Sequence, residues 1–220
     1  MGGFDINQVM QGIAVGAIPV LFAITLHEVA HGLTARRFGD RTAEMLGRLS
    51  LNPIRHIDPV GTLLVPAVLF ALSGVLFGWA KPVPVVFRNL RNPKRDMVFV
   101  ALAGPIANIA MGIAWALLLK FVYASGLEQG LAGDFLISMS RIGMLINTLL
   151  AAFNLLPIPP LDGGRVLRGL VSESVGQYLD RIEPFGLIII VLLLVSGWLW
   201  IVVAPLFALV DSLIGFIVRI

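Results

Sequence analysis

Four stretches of this sequence, residues 6–35, 97–123, 135–156 and 185–220, are nearly free of charge and about 20 residues long or longer. A helix needs about 20 apolar residues to cross the roughly 30 Å hydrocarbon layer. No soluble domain can hide four such segments. Composition agrees: 58% of the residues are hydrophobic and 13% are charged, against about 25% charged in an ordinary soluble domain. A soluble enzyme, a disordered chain and a free nucleic-acid binder are therefore excluded, and no nucleic acid is expected as a partner. The expected fold class is an all-α polytopic membrane protein with about four to six transmembrane helices, solvated by the lipid bilayer. Residues 1–5 carry no basic group ahead of the first run, so that run reads as a retained span rather than a cleaved signal. There is no cysteine, so any metal must be held by His, Asp or Glu.

Charge sets the expected orientation. Of sixteen Lys and Arg residues, thirteen fall in three connecting segments: Arg36, Arg37, Arg41, Arg48 and Arg55; Lys81, Arg88, Arg91, Lys94 and Arg95; and Arg165, Arg168 and Arg181. Residues 1–7 and 124–134 have none. The positive-inside rule places the three basic segments in the cytoplasm and the other two outside. Residues 61–78 then have cytoplasmic flanks on both sides, and their Gly and Pro content suits a segment that dips in and returns. Residues 81–87, rich in Pro and Val, read as extended. The last run is too long for one pass, and a break is expected near Pro205. Trp198 and Trp200 read as interfacial anchors, and Arg141 as a side chain reaching the outer interface.

The first span contains His27-Glu28-Val29-Ala30-His31. Residues four apart share a helix face, so two imidazoles can grip one metal while Glu28 stands near its open position as a proton acceptor. Ionisable groups inside an apolar span are costly and mark function by default. At 1.5 Å per residue, these histidines lie about 7–14 Å inside the boundary set by Arg36. A zinc site usually takes three protein ligands. The remaining histidine, His56, lies beside Asp58 on a cytoplasmic segment. The stronger candidate is Asp162, which follows the proline-broken run Asn154-Leu-Leu-Pro157-Ile-Pro159-Pro160-Leu161 and precedes Gly163-Gly164. Glycines there let the backbone approach a partner closely.

These motifs resemble the site-2 protease family, peptidase M50, of intramembrane zinc metalloproteases. The residues carrying the resemblance are His27-Glu28-x-x-His31-Gly32, Ala103-Gly104-Pro105-Ile-Ala-Asn108 and Asn154-x-x-Pro157-x-Pro159-x-Leu161-Asp162-Gly163-Gly164. They occur in the family's order across a three-helix catalytic core of about residues 8–170. The resemblance implies one zinc ion per chain held by His27, His31 and Asp162. It implies Glu28 as general base, and Asn154 as a residue steadying the tetrahedral intermediate. It also implies a multi-pass protein of a prokaryotic cell membrane with its active site towards the cytoplasm. Its substrates would be transmembrane proteins cut in or near their spans.

Asn108 reads mainly as part of a close-packing face with Gly104, Ala107 and Gly112. His56 and Asp58 read mainly as parts of a structured loop near the site, and Asn108, His56 and Asp58 stand beside that as candidates for contact with substrate or with the metal ligands. Against the family's larger members, the short 124–134 loop and the apolar C-terminal run lead to an expectation of a compact form. Residues 1–220 would be a single membrane-embedded peptidase domain without a PDZ or cystathionine-synthase-type domain. Gating would then fall to the membrane segments, a regulatory membrane partner or a homo-oligomer. The alternative class is a membrane metal-ion transporter using the same His and carboxylate groups. The Glu between the two His at hydrolytic spacing argues against it.

Overall fold

The computed structural model describes residues 6–65, 67–68, 78 and 80–219, without the side chains of 6–11, 13 and 63. Helix α1 (Ile6–Arg37) is followed by a short α2 (Thr42–Met45). A long connection, with short helical turns at Pro53–His56 and Pro59–Leu64, leads to α3 (Pro93–Ala124) and α4 (Gly130–Asn154). Then come α5 (Asp162–Leu170), α6 (Glu173–Ile182), α7 (Gly186–Val195) and α8 (Trp198–Val218). Among the described residues, four helices are long and apolar enough to cross a membrane: α1 over Ala14–Arg37, α3, α4 and α8. Their outward faces expose Phe22, Phe99, Ile106, Phe121, Leu145, Leu209 and Phe216. That much apolar surface is stable against lipid and not against water. The sequence expectation of an all-α polytopic membrane protein therefore holds, at the lower end of its helix count.

Small residues let the bundle close. Ala116 of α3 and Ala151 of α4 pack with Val210, Ile214 and Val218 of α8. A second cluster joins Ala152, Leu156 and Leu161 to Ile190 of α7 and Val203 of α8. Without a hydrophobic drive between helices in lipid, such small residues gain their stability from close van der Waals approach. Lys120 ends the arrangement at the far side, donating to the Val218 carbonyl at 2.7 Å and so capping α8.

The last apolar run breaks elsewhere than expected. Pro205 lies inside α8, and the chain turns instead at Gly197, whose φ of 78° lies in the left-handed region. A proline costs a helix one hydrogen bond, which packing offsets. A reversal of direction needs a backbone conformation that glycine adopts freely. Helix α7 has ten residues, about 15 Å, and is too short to cross.

The connection between α1 and α3 is tied down by its own polar groups. Lys81 N–H donates to the His56 carbonyl at 2.8 Å, so the chain returns at residue 81 to where it left at residue 56. The expected dip of residues 61–78 lies largely outside the described residues. Residues 81–86 are not in a regular helix, and they form no strand ladder among the described residues. Val83 N–H donates to Glu28 Oε2 (2.6 Å), and Val86 N–H to Asp40 Oδ2 (2.7 Å). Asp58 caps the turn beginning at Pro59, accepting from Val60 N–H (2.9 Å) and Gly61 N–H (3.0 Å). Arg141 donates to the Tyr123 hydroxyl at 3.2 Å, joining the end of α3 to the middle of α4.

Asp40 is the fastener of this region. It is buried. Besides Val86 it accepts from Thr42 N–H (3.0 Å) and Asn89 Nδ2 (3.2 Å). Burial alone would raise its pKa, but the hydrogen bonds from Thr42, Val86 and Asn89 hold it below its ordinary 3.8. A carboxyl with a depressed folded-state pKa adds stability above its ordinary value, and that stability is lost as pH falls through the depressed one. Asp40→Ala is expected to cost at least about 2 kcal/mol through orphaned donors. Its penalty should be full at pH 7 and shrink below pH 4, measured by denaturant titration in detergent.

Candidate metal centre

The two histidines project from α1 one turn apart, towards α3, which runs antiparallel beside it. On α3, residues 100, 104 and 108 share a face at four-residue spacing. His31 Nδ1–H donates to the Val100 carbonyl at 2.7 Å, and His27 Nδ1–H donates to Asn108 Oδ1 at 2.6 Å. Gly104 lies between them. A Cβ built there would overlap His31 and lie 2.5 and 2.6 Å from ring atoms of His27. The imidazoles therefore occupy the volume of a missing side chain.

Because each Nδ1 faces an acceptor, each ring carries its proton on Nδ1 and leaves Nε2 as a bare lone pair. The two Nε2 atoms stand 3.0 Å apart. Asp162 Oδ2 lies 3.2 Å from His27 Nε2 and 3.3 Å from His31 Nε2. All three residues are buried, and this carboxylate oxygen has no hydrogen-bond partner. Three converging buried lone pairs repel unless a cation lies among them. Tetrahedral zinc with bonds of about 2.0–2.1 Å spaces its ligand atoms about 3.3–3.4 Å apart, close to the three edges seen here. The donor set, two neutral imidazoles and a carboxylate, fits that ion.

The chain presents Asp162 at the first residue of α5 after a proline-broken turn from α4. Gly163 has no room for a side chain: its Cβ would lie 2.5 Å from the Leu155 backbone carbon. The close approach expected of the Gly-Gly pair is thus made to the chain's own preceding turn, and this presses Asp162 back towards α1.

Glu28 is half-buried, with one oxygen held by Val83 N–H. Among the described residues its other oxygen accepts no hydrogen bond. Asn154 closes α4, its amide donating to the Leu150 carbonyl at 3.0 Å. Of the other candidates, only Asn108 touches the histidines. His56 is buried with Nε2 on the Ser50 carbonyl (2.8 Å), and Asp58 serves as a cap. The sequence reading passed over Asn147, a fully buried residue of α4 that accepts from Asn108 Nδ2 at 2.9 Å. A signal was there: an amide inside an apolar span needs a partner.

The family model "Peptidase family M50" matches residues 129–197, which include Asn154 and Asp162. The chain is 39% identical over 180 residues to "Putative zinc metalloprotease YwhC" of Bacillus subtilis, covering 81% of this chain and 79% of that one. The chain belongs to peptidase family M50. Two further relatives, each named "Putative zinc metalloprotease Rip2", extend the match. That of Mycolicibacterium smegmatis is 33% identical, covering 80% of this chain and 64% of its own. That of Mycobacterium tuberculosis is 30% identical, covering 86% and 71%. No solved structure matches.

Gly104→Ala tests how this M50 site is packed. The added methyl must displace both imidazoles, so the purified variant is expected to hold less than about a tenth of the wild-type zinc. Metal analysis after detergent purification checks this, and wild-type zinc content in the variant would rule the packing account out.

Proposed function

We propose that this protein is a zinc-dependent intramembrane endopeptidase. It would hydrolyse peptide bonds in or near the transmembrane segments of membrane proteins. The observation that carries the reading is the convergence of His27 Nε2, His31 Nε2 and Asp162 Oδ2 inside a membrane span, each imidazole held by its far nitrogen. Membership of M50 and the zinc metalloprotease names of the relatives support it. Nothing in them favours the metal-transport alternative.

His27, His31 and Asp162 would hold one zinc ion. Bound there, it supplies a Lewis acid that polarises a peptide carbonyl and makes a water acidic enough to attack near neutral pH. Glu28 accepts the proton from the attacking water and delivers it to the departing amine. Val83 N–H fixes the carboxylate by one oxygen, and proton transfer falls to the other. The free N–H of the Asn154 amide would donate to the oxygen on which negative charge develops.

A helical substrate hides its carbonyls in its own hydrogen bonds and must unwind before it can react. Residues 81–86 lie against Glu28 and are extended enough to meet such a strand. Pro82 and Pro84 have no N–H, and those of Lys81, Val83 and Val86 are already taken, which leaves Val85 N–H as the donor this stretch offers among the described residues. A substrate strand pairing here must therefore bring most of the donors itself.

Orientation follows from the loop charges. The ends of α1 and α4 and the starts of α3 and α5 face the cytoplasm, and the metal centre lies on that side. The named relatives come from Bacillus, Mycolicibacterium and Mycobacterium, all bacteria, which supports a prokaryotic cell membrane. Residues 1–220 act as one membrane-embedded peptidase domain. Substrate gating is assigned to the membrane segments together with a membrane partner or a second copy.

Glu28→Gln is expected to keep its zinc and lose at least about 10²-fold in cleavage rate. The measurement compares membrane-fraction proteomes of cells with wild type and variant, seeking a juxtamembrane fragment that vanishes. Cleavage by purified Glu28→Gln at the wild-type rate would remove the proposed base. A purified wild type without zinc would remove the whole reading.

A further inference from the structure

The buried amides Asn108 and Asn147 do something that packing alone does not require. Asn147 Nδ2 donates to the Gly143 carbonyl of its own helix at 2.8 Å. A carbonyl only accepts, so the amide nitrogen must face it, and Asn147 Oδ1 must then face Asn108. Asn108 Nδ2 donates to that oxygen (2.9 Å) and to the Ala23 carbonyl of α1 (3.2 Å). With its nitrogen committed to two acceptors, Asn108 can offer His27 only its oxygen, which it does at 2.6 Å. His27 must answer with a proton on Nδ1. All three side chains are buried, and the two amides are wholly so, so no water can substitute for a link.

Resting on the metal-centre reading above, we infer that Asn147 is a positioning residue for zinc binding. Through Asn108 it locks His27 in the Nδ1–H tautomer, so that the Nε2 lone pair always faces His31 and Asp162. Two main-chain carbonyls, Ala23 on α1 and Gly143 on α4, set the direction of the relay, and α3 carries it between them. The two histidines are thus held by different devices. His31 meets a carbonyl directly, whereas His27 meets an amide that has two orientations and is held in one of them by Asn147 at 2.9 Å and the Ala23 carbonyl at 3.2 Å. Losing Asn147 leaves only the longer Ala23 bond to oppose Asn108 turning its nitrogen towards His27. When it turns, that ring shifts its proton to Nε2 and its lone pair leaves the site.

The substitutions that separate this from packing are Asn147→Leu and Asn147→Asp. Leucine fills the space but cannot accept from Asn108. Aspartic acid accepts from it and, protonated, also donates to Gly143. Purified zinc-loaded protein in detergent is dialysed against a chelator, and zinc retention is followed by metal analysis, with His27→Ala as control. Zinc loss is expected to be about 10–100-fold faster in Asn147→Leu than in wild type, and within about threefold of wild type in Asn147→Asp. Nitrogen-15 spectra of the imidazoles of zinc-loaded wild type are expected to show His27 protonated on Nδ1. If Asn147→Leu keeps zinc as well as wild type while His27→Ala does not, the relay is wrong and the metal centre stands. If His27→Ala keeps its zinc too, the metal centre itself is wrong. Should the leucine variant fail to fold, rapid zinc loss from Asn147→Asp or an Nε2–H signal for wild-type His27 overturns the relay.

Discussion

The structure depends on the seam between α1 and α3. Two imidazoles, which lipid would exclude, are admitted because α3 offers an acceptor opposite each and an empty volume between them. Val100 and Asn108 supply the acceptors, and Gly104 supplies the space. Remove the acceptors and two buried polar rings lose their partners, at about 1–3 kcal/mol each. Fill the space and the helices must part. The same contacts that let the helices pack also aim both Nε2 atoms at Asp162, so helix association and metal chemistry share one set of atoms.

Much of this was legible in the sequence because membranes enforce simple rules. Long apolar runs have to be helices, and polar residues within them have to be explained. His27, His31 and Asp162 lie up to 135 positions apart in sequence, yet their motifs mark them as one group, and they meet in space. What escaped were the features that depend on tertiary partners. Pro205 was a strong local signal for a break, yet Ile214, Val210 and Val203 on the same helix are packed tightly enough to carry the proline through. Gly197, where the chain actually turns, is a less conspicuous residue in a run of apolar ones. His56 and Asp58, read mainly as parts of a structured loop, do bond to backbone groups of that loop.

Glu28 illustrates a limit of motif reading. Its spacing from the histidines predicts which face it occupies, but not that one carboxylate oxygen is held by the main chain of residue 83. That contact ties the acid to a segment 55 positions away and makes the geometry of the His-Glu pair depend on how residues 81–86 lie. Asp40 holds the same segment at its other end. The extended stretch is thus moored at two points near the C-terminal end of α1, and a sequence rich in Val and Pro says nothing of either mooring.

The hydrogen bond from Lys81 N–H to the His56 carbonyl fastens the two ends of the intervening stretch to each other. The chain therefore approaches α3 with its path already set by contacts at residues 81, 83 and 86, and the seam between α1 and α3 inherits its register from those anchors.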